Sequence, residues 1–393
     1  MSRKRVLVYV QHLLGIGHLK RAAVLARTLA QQSLEVMLVS GGFPLPGLAL
    51  GRAKWVQLPP AGAIDETFKV LAGADGRPID DAWRARRREA LIRAWRDFDP
   101  QLVLVELFPF GRRQMRFELL PWLETAAASV RRPVIVSSVR DVLGGGQRNP
   151  SRQDEMLQWF ERYFDHVLVH GDPGLIRFER SFRHAEALGE RLHYTGYVVD
   201  RKAAMGLDAN SGVGEADVVV SAGGGAVGAR LLEAAIRCRA LTLLAERTWR
   251  ILAGVNASPE TWSRLNALAD EKGAGRIIVE RSRDDFPSLL RASALSISQG
   301  GYNTVMEILD AGARAVVVPF AGAGETEQTL RARALAERGR IECVAETDLT
   351  AVSLADAVNR AASKPRPVRE TVDLDGANRS ASLVVRWISE VPW

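Results

Sequence analysis

Short β-branched and other apolar runs alternate with longer amphipathic stretches along the whole chain. Val6–Val10 predicts a strand, Gln11–Gly17 a turn, and His18–Gln31 a helix with Leu19, Ala22, Ala23, Leu25, Ala26 and Leu29 at helical spacing. Val36–Ser40 is the next strand, closed by Gly41-Gly42, so the chain opens as a βαβ unit of a doubly wound sheet. Pro59–Asp81 reads as a long loop, and Ala82–Phe98 as a basic helix. Strands at Leu102–Glu106, Pro133–Ser138, Val167–His170 and Leu192–Val199, with a helix at Gln153–Tyr163, complete a first half.

The Gly/Asn/Asp-rich stretch Arg201–Ala216 marks a boundary, after which the pattern restarts. Strands are expected at Asp217–Ser221, Leu241–Ala245, Arg276–Val279, Ala294–Ile297 and Ala315–Pro319. Helices are expected at Ala229–Arg239, Pro259–Asp270, Asp284–Arg291, Thr304–Ala311, Gln328–Arg338 and Leu354–Ala362. A Pro-rich linker, Lys364–Val368, precedes a last helix, Ala377–Ile388. The expected domains are residues 1–200, residues 201–370, and a C-terminal helix in 371–393 that packs back on the first domain.

With 393 residues the chain is long enough for two α/β domains of roughly 150–200 residues each. No run approaches the ~20 apolar residues that span a bilayer, and Val6–Val10 is too short for a signal-peptide core, so a cytosolic protein is expected. Cys238 and Cys343 lack metal-site spacing and are expected to be buried thiols. The net charge of +7 comes from seven lysines and 46 arginines spread along the chain. That spread does not suggest a nucleic-acid footprint but favours anionic ligands. The basic helix has the charge for peripheral contact with an anionic membrane, although a solvated surface helix is the plainer expectation.

Candidate chemistry gathers where strands turn into helices. Gly300 and Gly301, before Asn303 and Thr304, suit an anion held by backbone N–H groups at a helix start. Glu307, one turn into that helix, could accept hydrogen bonds from a ribose diol. The glycine loop Gly223–Gly228 is a second candidate phosphate cradle. Gly15-x-Gly17 is half of a dinucleotide fingerprint, but Lys20 stands where the third glycine belongs, so NAD binding is not inferred. His18, at the start of the first helix, could take a proton from a hydroxyl, and a helix-capping histidine is the bland alternative. Glu106, with Arg112 and Arg113 beyond it, and Arg140 with Asp141 lie at strand ends and suit an acceptor pocket. His166 and His170 lie four apart on a strand, and a zinc site is rejected there.

Together these pieces resemble a GT-B glycosyltransferase of the MurG-like family of UDP-sugar transferases. Gly15-Ile16-Gly17-His18 is similar to that family's N-terminal loop, and Gly223-Gly224-Gly225-Ala226 to its pyrophosphate loop. Ser298 through Glu307 resembles its donor signature, Glu327-Gln328-Thr329-Leu330-Arg331-Ala332 the run whose Gln reaches the sugar, and Thr195-Gly196-Tyr197-Val198 its interdomain turn. Thr326, Glu327 and Arg331 stand where the family has Asp, His and Asn, which leaves the donor sugar open.

The resemblance implies two Rossmann-like, doubly wound parallel-sheet domains facing a cleft. It implies a glycosyltransferase moving a sugar from a nucleotide-diphosphate sugar, UDP-linked, to a hydroxyl acceptor, with neither metal nor cofactor. His18 is expected as the base, with Glu106 and Asp141 as alternatives. Gly224, Gly225, Ala226, Gly300, Gly301, Asn303, Thr304, Glu307, Glu327 and Gln328 are expected on the donor, and Gly17, Arg112, Arg113 and Arg140 on the acceptor. A nucleotide-sugar hydrolase, a non-hydrolysing epimerase and a non-enzymatic nucleotide-sugar-binding protein are the alternatives.

Overall fold

The structure is a computed structural model and describes residues 3–13, 15–64, 70–144, 149–201, 217–223, 228–255, 257–322, 326–368 and 372–390. It divides into two compact units, Met1–Val198 with Asp373–Trp393, and Val199–Val372.

The first unit is built on a parallel sheet in the order β3-β2-β1-β6-β7-β8-β9. Its strands are β1 (Arg5–Val10), β2 (Glu35–Ser40), β3 (Lys54–Gln57), β6 (Leu102–Glu106), β7 (Val134–Arg140), β8 (His166–His170) and β9 (Leu192–Tyr194). A short antiparallel hairpin, β4 (Gly62–Ala63) with β5 (Leu71–Ala72), lies within the expected long loop. Helices α1 (Gly17–Gln31), α2 (Asp81–Phe98), α3 (Arg116–Ala127) and α4 (Pro150–Tyr163) alternate with the strands. Val6, Val8, Leu102 and Leu104 pack on one face, and Leu7, Tyr9, Val103 and Val105 on the other. Burial of both faces is why these strands read as unbroken apolar runs.

The second unit has the parallel order β12-β11-β10-β13-β14-β15. Its elements are β10 (Val218–Ser221), α5 (Ala229–Cys238), β11 (Trp249–Leu252), α6 (Pro259–Lys272), β12 (Ile277–Glu280), α7 (Phe286–Ala292), β13 (Leu295–Gln299), α8 (Tyr302–Ala311), β14 (Ala315–Val318), α9 (Glu327–Glu337), β15 (Glu342–Cys343) and α10 (Ala351–Ala362). The final helix, α11 (Gly376–Glu390), buries Ala381, Val384, Trp387 and Ile388 in the cluster that contains Leu19, Ala23 and Ala26 of α1. In each unit the strand order reverses once, between β1 and β6 and between β10 and β13, and ligands of open α/β sheets bind beside such reversals.

Several expectations are corrected. Leu241–Ala245 is not a strand. Arg239–Leu241 is a 3-10 turn, Leu243 is exposed, and the strand begins at Trp249, whose indole Nε1 donates to Leu244 O at 3.0 Å. The run of leucines there is apolar without being buried. Leu192–Val199 is strand only to Tyr194. β3 and α3 went unread, the first a half-exposed edge strand with Lys54 and Gln57, the second a helix with Pro121 inside it. Cys238 is buried, but Cys343 only half so. In the basic helix α2, Arg87 is not solvated; it is fully buried, against Glu118.

Candidate active site

In the first unit, β1 delivers the chain to Gln11, and α1 begins at Gly17 without a side-chain cap. His18, its second residue, has its Nδ1 2.8 Å from Oε1 of Glu106, the last residue of β6. Because β1 and β6 are neighbours, the helix start after one faces the end of the other. A carboxylate only accepts, so Nδ1 carries the proton and Nε2 keeps its lone pair. The imidazole is 14% exposed, and Glu106 is 2% exposed at its side chain. Arg21, one turn along α1, donates to the same Oε1, and Ser138 Oγ donates to Oε2 at 2.8 Å. Burial, then the guanidiniums of Arg140, Arg112 and Arg21, hold His18 well below the ordinary histidine pKa.

These contacts sort the expected residues. Glu106 has both oxygens committed, so it orients His18 rather than receiving a substrate proton. Asp141 is fully buried, accepting from Tyr197 Oη and from Val142 N, each at 2.9 Å, which sets it apart from a base that meets a substrate hydroxyl. Arg112 is held by Gln11 O at 2.7 Å, and burial pushes its pKa down to about 10, opposed by Glu106 and reinforced by Arg140. Arg140 is the half-buried last residue of β7. Gly17 is the first residue of α1. Arg113 does not join them; its half-exposed side chain pairs with Glu155 at 2.7 Å. Arg21 was missed, although a charge among the apolar positions of α1 was a readable signal.

In the second unit, β13 leads through Gly300 and Gly301 into α8. A Cβ on Gly300 would come within 3.2 Å of Gln328 Cβ and 3.3 Å of Pro319 Cα, whereas one on Gly301 would meet nothing within 4 Å. Close packing thus favours the first glycine, since a Cβ would make its neighbours give by a few tenths of an ångström, and no described atom crowds the second. Gly301 caps α8 with no side chain, so the first-turn N–H groups of Asn303 and Thr304 have no acceptor within the helix. Asn303, Thr304 and Glu307 are half-buried, and spacings of three and four put them on one face.

Gln328 Oε1 accepts from Phe320 N at 3.0 Å, which fixes the orientation of its amide. Glu327 is buried and pairs with Arg331 at 2.8 Å; Arg331 is fully buried, its guanidinium 5.1 Å from the Tyr302 ring centre. Glu327, expected on the donor, therefore braces α9 against α8 through Arg331. Gly224, Gly225 and Ala226 lie outside the described residues. The residues flanking them converge on the same place: Gly228, at φ +120, would bring a Cβ to 2.5 Å from Ala222 and 3.4 Å from the Gln299 side chain. Among the described residues, no three His, Cys, Asp or Glu gather to hold a metal ion, and no helix is long and apolar enough to cross a membrane.

Residues 218–383 match the glycosyltransferase family 28 C-terminal domain, a match that runs past the second unit into α11. The UDP-N-acetylglucosamine--N-acetylmuramyl-(pentapeptide) pyrophosphoryl-undecaprenol N-acetylglucosamine transferase of Rhodopseudomonas palustris is 30% identical over 171 residues, 42% of this chain. The alignment covers 45% of that relative, so the chain spans under half its length. Acinetobacter baumannii MurG superposes with a TM-score of 0.61 at 14% identity, covering 98% of this chain and 99% of its own. A UDP-glucosyltransferase from Polygonum tinctorium superposes at 0.67 and 14% identity, with both chains fully covered. At such identities the structural likeness establishes the fold, which is GT-B: two Rossmann-like domains, MurG-like in architecture.

Proposed function

Given a family 28 C-terminal domain on a GT-B frame, we propose that the chain is a glycosyltransferase. It moves a sugar from a nucleotide-diphosphate sugar, UDP-linked, to an acceptor hydroxyl without a divalent metal. The observation that carries this reading is the His18–Glu106 contact, which leaves Nε2 of a neutral, nearly buried imidazole as a proton acceptor. The acceptor O–H gives its proton to His18 Nε2 as its oxygen bonds to the anomeric carbon. The bond from that carbon to the diphosphate breaks, and its electron pair leaves with the nucleotide. Arg112 and Arg140 line the acceptor side.

The second unit's role is to hold the donor. Glu307 accepts from the ribose hydroxyls. The N–H groups at Gly301–Thr304 and the dipole of α8 stabilise charge that grows on the leaving diphosphate. Gln328 contacts the sugar. The UDP-sugar named for the Rhodopseudomonas relative supports a uridine donor.

The test is a thermal-shift panel of UDP, TDP, GDP and their sugars, followed by turnover with and without EDTA. A ligand at a hundred times its Kd stabilises by about 2.7 kcal/mol, an easily measured shift. No stabilisation by any of them would overturn the donor reading. Loss of turnover in EDTA with recovery in Mg2+ would overturn the metal-free one. Free sugar released from donor alone as fast as the best transfer would make the enzyme a hydrolase instead.

A further inference from the structure

The contacts to Glu106 continue beyond Ser138. Ser138 Oγ is 2.9 Å from His170 Nε2, and His170 Nδ1 is 2.9 Å from Thr195 Oγ1. All three residues are at most 1% exposed. They come from adjacent positions at one edge of the sheet: Glu106 lies opposite Ser138 between β6 and β7, and His170 ends β8. Thr195 follows β9 and is fixed by its own backbone, with its N–H on Val169 O at 3.0 Å. An unbroken line of side chains therefore runs from the His18 ring across four strand ends to anchored main chain.

We propose that Ser138, His170 and Thr195 are positioning residues, which hold Glu106 and, through it, fix the His18 ring with its proton on Nδ1. This rests on the reading of His18 as the base.

Counting protons gives the line a direction. Ser138 has one hydrogen, and the buried carboxylate has the stronger claim on it. His170 must then donate from Nε2 to Ser138 Oγ, and its Nδ1 must accept from the Thr195 hydroxyl. Every link holds one proton, and all of them point toward Glu106. The remaining contacts, Thr195 Oγ1 to Gly196 O at 3.0 Å and to Val169 O at 3.4 Å, are then local approaches without a proton. In the opposite tautomer, Ser138 would have to serve Glu106 and His170 Nε2 with a single hydrogen. A neutral ring is what the site favours, since burial, helped by Arg21, holds His170 well below the ordinary histidine range.

The consequence is rotational. Arg21 and His18 share Oε1, so among the described residues it is the Ser138 bond on Oε2 that keeps the carboxylate from turning about its last torsion. A buried serine hydroxyl, itself oriented from behind, supplies that restraint.

The experiment uses the full chain labelled with 15N at its histidine rings. In the wild type, His18 should appear as the Nδ1–H tautomer and His170 as the Nε2–H tautomer. Ser138→Ala should abolish the single tautomer of His18 and lower kcat about tenfold, with the KM for the UDP-sugar unchanged. Thr195→Val should do the same more weakly, and Thr195→Ser should restore both signals. Thr195→Val nearly conserves shape, so it decides the matter if Ser138→Ala fails to fold. His170 found as Nδ1–H, or a folded Ser138→Ala protein with the wild-type His18 spectrum and kcat, would overturn the proposal. The spectra need no turnover. They judge the positioning separately from His18→Ala kinetics, which judge the base.

Discussion

Arg87 and Glu118 form a two-point ion pair with neither side chain exposed: Nε reaches Oε2 at 2.6 Å, and Nη2 reaches Oε1 at 2.8 Å. The other guanidinium nitrogen donates to Gly41 O and Pro59 O, each at 2.7 Å, so the pair also ties down the turns after β2 and β3. Removing one partner leaves an uncompensated buried charge. Glu118→Ala should therefore cost roughly 3–5 kcal/mol in urea unfolding. The double replacement Arg87→Met/Glu118→Leu should regain much of that. A single substitution costing under ~1 kcal/mol would mean that water reaches the pair.

His18→Ala should lower kcat by about a hundredfold or more, with UDP affinity kept. The pH profile has a definite sign. A base works deprotonated, and this imidazole is held well below 6.5, so it stays neutral through the neutral range. Rate should be level from pH 6.5 upward with respect to this group and fall only in more acid solution. An acid limb centred at or above 6.5 would separate His18 from the base.

Glu307→Ala should weaken UDP binding about tenfold or more, since a hydrogen bond to a charged acceptor contributes roughly 1.5–3 kcal/mol. Calorimetry with UDP and uracil distinguishes the ribose from the base: only the first should lose affinity. Unaltered UDP affinity would remove Glu307 from the diol.

At the opposite end of the sheet, His166 stacks on Trp387 of α11, with ring centres 4.0 Å apart, and its Nδ1 lies 3.2 Å from His193 Nε2. Burial lowers the His166 pKa to about 4, helped by His193, Arg386 and Arg191 and opposed by Asp165. His193 is lowered as well, by burial and Arg386. A histidine whose folded pKa is depressed contributes full stability above its unfolded value and loses it as pH falls. The Tm of the first unit should hold above pH 6.5 and drop between there and about 4. His166→Phe should lessen that drop, the rest being carried by His193, His12, His18 and His170, and an equally steep curve in the variant would assign all of it to them.

The parallel strands were legible because burial on both faces leaves unbroken apolar runs, as in Val6–Val10 and Val316–Val318. The sheet-edge positions of His18, Gly300 and Glu307 followed from strand-to-helix punctuation. What stayed hidden was the pairing of side chains distant in sequence. Nothing near Glu106 announces that Arg21, 85 residues away, will neutralise it. Glu327 and Arg331 lie only four apart on α9, but such a pair reads as a surface contact, and nothing in the sequence shows that Arg331 is fully buried. Charged positions read as surface or ligand contacts unless the partner is known, which is why Arg87 reads as solvated and Asp141 as a candidate base from sequence alone.

The polypeptide leaves the first unit after Val198 and returns at Asp373, where Tyr197 N donates to Asp373 O at 2.7 Å and Gly376 N to Tyr197 O at 3.0 Å. A nascent chain released as far as Val198 lacks α11, whose Val384, Trp387 and Ile388 cover the greasy flank of α1. Ribosomal synthesis thus finishes one half before the other can close, and a fragment ending at Val198 should clump where the whole protein stays dispersed.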